Sequence, residues 1–163
     1  MTMTSVKQYF EEDHDRLDSL FTAFQTLKRS DAAAAKEKFK EFITGLTRHI
    51  VWEEEILFPL FEERTGMKNS GPTEVMRQEH RLIGGHLDAI HDKVRAADPD
   101  SDEEETALLA VLKAHNMKEE QILYPAIDEG LDAEAVKRVK NKMDSLPPER
   151  YAACCGGEGH SRE

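Results

Sequence analysis

One internal repeat constrains this chain more than any other feature. His49-Ile50-Val51-Trp52-Glu53-Glu54-Glu55-Ile56-Leu57-Phe58-Pro59 returns sixty-six residues later as His115-Asn116-Met117-Lys118-Glu119-Glu120-Gln121-Ile122-Leu123-Tyr124-Pro125. The same offset carries His14 onto His80, so a histidine followed thirty-five residues later by His-x-x-x-Glu occurs twice in one register. On a helix, residues four apart share a face, with Cβ atoms about 6 Å apart. Each His-x-x-x-Glu therefore aims an imidazole and a carboxylate at one point. Two such units related by a repeat imply a pseudo-symmetric pair of metals.

The apolar spacing supplies the helices. Helix A is expected from Thr4 or Ser5, both good N-caps, to about Arg29, with Phe10, Leu17, Phe21 and Phe24 as its seam and His14 in the gap. Asp31 caps helix B, whose seam is Phe39, Phe42, Leu46, His49, Glu53, Ile56 and Leu60, alternating three and four without a slip. Pro59 should kink or end that helix, and the stretch from Gly66 to Pro72 reads as a loop. Helix C follows Pro72 and runs to about Ala97 with Met76, His80, Ile83, Leu87, Ile90 and Val94 inward. Ser101 and Glu104 form a capping box for helix D, whose seam is Leu108, Leu112, His115, Glu119, Ile122 and Ala126, with Pro125 ending or bending it. A short fifth helix, about Asp132 to Ser145, packs on the outside. These elements predict an all-α, up-down-up-down four-helix bundle over residues 1–146 and a flexible tail over 147–163.

Composition narrows the partners. The 163 residues suffice for one domain with its own core. A net charge of −11 keeps the chain soluble and argues against nucleic acid or an anionic membrane. There is no apolar run of membrane length and no signal pattern in the first eight residues, so a soluble, cytoplasmic protein is expected. The adjacent Cys154 and Cys155 cannot cross-link the core, which fits a reducing compartment.

Six seam positions where the pattern asks for leucine hold His14, His49, Glu53, His80, His115 and Glu119. Burying one neutral polar group without a partner costs a few kcal/mol, and an unpaired carboxylate costs more. The seams carry no lysine or arginine near Glu53 or Glu119, so a bound cation is what removes the penalty. Imidazole with carboxylate suits iron, zinc or manganese, and the absence of seam thiolates argues against an iron–sulfur cluster. Ferritin-like di-iron bundles use Glu-x-x-His, the reverse order at a different spacing. No Cys-x-x-Cys-His is present for covalent heme, and two axial histidines would leave both glutamates unexplained. Glu54, Glu55 and Glu120 turn about 140° or more off the ligand face and read as solvated. Phe58 and Tyr124 are repeat equivalents and read as core or interhelix residues, and Trp52 as packing.

His14-Asp15, His49-x-x-x-Glu53-Glu54 with Ile-Leu-Phe-Pro, Glu79-His80, and His115-x-x-x-Glu119-Glu120 with Ile-Leu-Tyr-Pro together resemble the hemerythrin-like, or HHE cation-binding, domain over roughly residues 5 to 130. The resemblance implies a non-heme di-iron centre: two iron ions held terminally by His14, His49, His80 and His115 and bridged by Glu53 and Glu119. Oxygen-carrying hemerythrins have a fifth histidine four residues after the third, and their last motif is His-x-x-x-x-Asp. Gly84 stands at the first of these positions, and His86, about 240° around the helix from His80, does not replace it. The pattern is closer to hemerythrin-like proteins linked to nitric oxide, peroxide and iron-centre repair, although the cysteine-bearing N-terminal domain of the repair proteins is not in this sequence. Two octahedral irons offer about twelve positions, and four histidines, two bridging glutamates and one oxygen bridge leave about two open. Asp18, four residues after His14, is a candidate for one of them. The expected function is binding of, or reaction with, dioxygen, nitric oxide or peroxide, with an unidentified redox partner. The alternative is a di-iron enzyme that decomposes peroxide, reduces nitric oxide or donates iron for repair.

Overall fold

The computed structural model describes residues 2–151. Cys154, Cys155 and most of the expected tail lie outside the described residues. In chain order the helices are α1 (Val6–Leu27), α2 (Ala32–Trp52), a π turn (Glu53–Leu57), α3 (Phe58–Thr65), α4 (Gly71–Arg95), α5 (Asp102–Lys118), a second π turn (Glu119–Leu123), α6 (Tyr124–Glu129) and α7 (Ala133–Ser145). α3 continues α2 and α6 continues α5, so four long rods form the expected four-helix bundle.

Local chemistry fixes the helix starts. Ser5 Oγ accepts the Gln8 amide at 3.1 Å, Asp31 the Ala34 amide at 3.1 Å, and Asp132 the Ala135 amide at 2.8 Å. Pro72 sits in the first turn of α4, where its missing N–H has no intrahelical partner to lose. The Ser101–Glu104 capping box does not form. Ser101 makes no cap bond; its hydroxyl turns instead to Glu105, which with Ser101 surrounds the buried ammonium of Lys28 from α1. A buried cation left without oxygen partners costs several kcal/mol, more than an N-cap hydrogen bond contributes.

The two prolines act differently from the expected break. In an α-helix the ring of Pro59 would clash with the carbonyl of Glu55, and that of Pro125 with Gln121. The chain avoids both clashes by widening one turn, so that Phe58 N–H donates to Glu53 O and Tyr124 N–H to Glu119 O, five residues back. Each helix then runs on. The extra residue also shifts the register. Ile122, expected in the core, is 61% exposed, while Leu123, Tyr124 and Ile127 are buried. Leu57, Phe58 and Phe61 take the matching positions in the first half.

Two apolar clusters flank a polar layer. One contains Leu17, Phe21, Phe24, Phe39, Phe42, Ile83 and Leu108. The other holds Phe10, Trp52, Leu57, Phe58, Leu123 and Tyr124 together with Val136, Val139 and Met143 of α7. Each fully buried Phe or Leu contributes about 1.5–3 kcal/mol, so these clusters drive folding and hold the layer between them in place. Residues 148–150 form a single 3-10 turn whose Arg150 pairs with Glu55, where little order was expected. Among the described residues, no helix is long and apolar enough to cross a membrane.

Candidate metal centre

The polar layer is where the repeat meets itself. His14 comes from α1, His49 and Glu53 from the end of α2 and its π turn, His80 from α4, and His115 and Glu119 from the end of α5 and its π turn. All six are buried, the two glutamates completely. Glu53, His80, His115 and Glu119 each place one donor atom within 4.8 Å of the others, and so do His14, His49 and Glu119. All six residues expected from the sequence are therefore brought together, as two half-sites that share Glu119. Asp18 is exposed on α1 and does not join the converging atoms.

The imidazoles all point the same way round. His80 Nε2 lies 3.2 Å from Glu53 Oε1 and His49 Nε2 3.6 Å from the same oxygen. His115 Nε2 lies 3.2 Å and His14 Nε2 3.4 Å from Glu119 Oε1. Their outer nitrogens meet a second ring of carboxylates. His49 Nδ1 is 2.8 Å from Asp13, His115 Nδ1 2.9 Å from Glu79, His80 Nδ1 2.7 Å from Glu54, and His14 Nδ1 3.3 Å from Glu120. An ionised carboxylate only accepts, so the proton belongs on Nδ1 and Nε2 is left to bind a cation.

This second ring obeys the repeat: Asp13 is equivalent to Glu79, and Glu54 to Glu120. Sequence reasoning assigned Glu54 and Glu120 to solvent because their backbone positions lie off the ligand face of their own helix. They act on a neighbouring helix instead, and their partial burial reflects it. A signal was available: in both halves an acidic residue directly precedes the first histidine of a unit and directly follows its glutamate. Glu55 is the exception that stays at the surface, paired with Arg150.

Tyr124 is buried in the core as expected, but its approach to the polar layer was missed. In an α-helix it would sit about 140° from Glu119, but the π turn brings position i+5 back onto the same face. Its hydroxyl lies 2.8 Å from Glu53 Oε2, 3.2 Å from His49 Nε2 and 3.4 Å from His14 Nε2. The proline that forces the turn was the clue.

Electrostatics show what the layer calls for. Burial opposes a charge on His14, yet Glu119 and Glu53 outweigh it and carry the ring up to about 9. Burial likewise opposes charge on His80, and Glu53 and Glu54 raise it to about 10. Glu53 is itself pushed up by burial and by the neighbouring Glu119 carboxylate. Burial pushes the Asp13 carboxyl up, but His49 and Arg16 bring it below its ordinary value. Without a cation, the pocket draws protons in to balance its carboxylates. Even so, Glu53 Oε1, both oxygens of Glu119 and His80 Nε2 are buried without a hydrogen-bond partner. Donors of this kind, spaced this closely and left unsatisfied, fit a metal ion.

The family model for the hemerythrin HHE cation-binding domain matches residues 6–127, which is most of the chain and all of the layer just described. The chain belongs to this family. As an HHE domain it is a cation-binding bundle. It is similar over 45 residues, at 44% identity, to the iron-sulfur cluster repair proteins YtfE of Yersinia pestis (strain Pestoides F) and Yersinia pseudotuberculosis serotype O:1b (strain IP 31758). The shared stretch covers 28% of this chain and 20% of each relative. No solved structure gives a significant match. On the surface of the HHE bundle a groove of about 880 Å³ between α1 and α5 is lined in part by His14 and Glu120.

Proposed function

We propose that this HHE domain holds two iron ions, one between His14 and His49 and one between His80 and His115, with Glu53 and Glu119 bridging them. One observation carries the reading: four imidazoles turn Nε2 toward two fully buried carboxylates, and three of the four carboxylate oxygens have no hydrogen-bond partner. Iron is preferred over zinc because the family resemblance and the similarity to iron-sulfur cluster repair proteins both point to it. Bound there, the ions would supply Lewis acidity and one-electron chemistry toward dioxygen, nitric oxide or peroxide.

The chain's own residues do the rest. Asp13, Glu54, Glu79 and Glu120 fix the ring orientations, and the aromatic shell of Phe10, Trp52 and Phe58 excludes bulk water. The groove at His14 admits small solutes. A binding role for a small ligand is the primary reading, in a reducing, cytoplasmic setting with an external electron donor. The similarity to repair proteins supports a second reading, in which the domain donates iron. Elemental analysis and a visible spectrum of protein purified aerobically from iron-replete cells test the centre. Two irons per chain are expected; one metal per chain at saturation, or zinc in its place, refutes it.

A further inference from the structure

The two halves of the centre are not equivalent, and the break in symmetry lies at one repeat pair. Position 58 is phenylalanine and position 124 is tyrosine. Both follow a π turn, both are fully buried, and both reach the layer at the position five residues after a glutamate. Phe58 has only a ring to offer, and it stacks on His80 with centroids 5.8 Å apart and planes 12° from parallel. Tyr124 brings an oxygen to the other half.

That oxygen sits where a ligand would. Donor atoms bound to one ion at about 2.0–2.2 Å lie roughly 3 Å from their neighbours around it. Tyr124 Oη is 3.2 Å from His49 Nε2, 3.4 Å from His14 Nε2 and 2.8 Å from Glu53 Oε2. Both imidazoles of the His14/His49 half-site and the Glu53 carboxylate proposed to bridge to it thus surround the oxygen at ligand-to-ligand spacing. The hydrogen bond that Tyr124 donates to Glu53 Oε2 would alone satisfy its hydroxyl; the two imidazole Nε2 atoms beside the same oxygen are what a ligand position adds.

We infer that Tyr124 is a protein ligand of the ion held by His14 and His49, binding through its phenolate oxygen. The O–H bond breaks as the oxygen–metal bond forms, and the proton leaves to solvent; nothing is oxidised or reduced. The two ions are then unequal. The His80/His115 ion, facing Phe58, has one protein donor fewer and so one more position for an external ligand. The inference rests on the two-iron reading and adds a donor to it.

Ferric phenolate complexes absorb visible light by charge transfer and show tyrosinate ring modes in the resonance Raman spectrum. The ferric protein should show both. Tyr124→Phe should lose them while retaining two irons by elemental analysis, and Phe58→Tyr should add a second set. Two irons bound without tyrosinate modes in the unmodified protein, or modes unchanged in Tyr124→Phe, would overturn the assignment while leaving the two-iron reading intact. Failure to hold iron would overturn that reading and this one with it. If Tyr124→Phe does not fold, the wild-type spectrum and the gain in Phe58→Tyr still decide the matter.

Discussion

The second ring of carboxylates makes a prediction that depends on how the halves are divided. Asp13 and Glu120 serve His49 and His14, hence one half-site; Glu54 and Glu79 serve His80 and His115, hence the other. In Asp13→Asn the amide oxygen still accepts from His49 Nδ1, but the acceptor loses its charge. Hydrogen bonds to charged groups contribute about 1.5–3 kcal/mol and neutral ones about 0.5–1.5. The difference, about 1–1.5 kcal/mol, is roughly a tenfold loss of affinity for one ion, at the lower end of what supporting residues of metal ligands give. Glu54→Gln should lose as much at the other ion, its bond being 2.7 Å. Glu120→Gln should lose less, because that contact is 3.3 Å and about a third exposed. Anaerobic titration of metal-free protein with ferrous iron against a chromophoric chelator measures each step. Asp13→Asn combined with Glu120→Gln should leave one ion at wild-type affinity, whereas Asp13→Asn combined with Glu54→Gln should weaken both. If the first pair weakens both ions, or the second spares one, the division into half-sites is wrong.

Lys28→Met should destabilise the fold by about 3–5 kcal/mol in urea denaturation, since it strands Glu105, which is 2% exposed, without its cation; a change under 1 kcal/mol would refute the buried pairing. Burial pushes the Glu62 carboxyl up, but hydrogen bonds from Arg77 and Thr73 bring it below the ordinary 4.5. A depressed carboxylate contributes stability that is present above its unfolded value and lost as pH falls through its folded one. Glu62→Gln should therefore cost about 1–2 kcal/mol at neutral pH, and the gap from wild type should close as denaturation is repeated toward about pH 3. A gap that widens in acid would contradict the pairing. Gly84→His adds an imidazole four residues after His80 on α4, where one ion can take both rings. Stopped-flow mixing of the reduced variant with oxygen should show slower oxidation than wild type and weaker peroxide reactivity; unchanged rates would mean that position 84 does not face the ion.

Much of this was written in the linear sequence. The 3.6-residue period located the rods, because burial of Phe21, Phe39, Ile83 and Leu108 depends only on which face each residue occupies. The six convergent donors were legible for the same reason: a polar residue on an apolar seam must find a partner. What the sequence alone could not settle were relations between helices and departures from the α period. Glu54 and Glu120 face solvent on their own helix and become supports for histidines only because neighbouring rods pass beside them. The capping box at Ser101 gave way to Lys28, a residue seventy-three positions away. Ile122 left the core and Tyr124 entered the metal layer because a proline ring displaced one carbonyl and widened one turn. A local steric clash decided which side chain faces the centre, and a period assumed constant along the helix cannot register it.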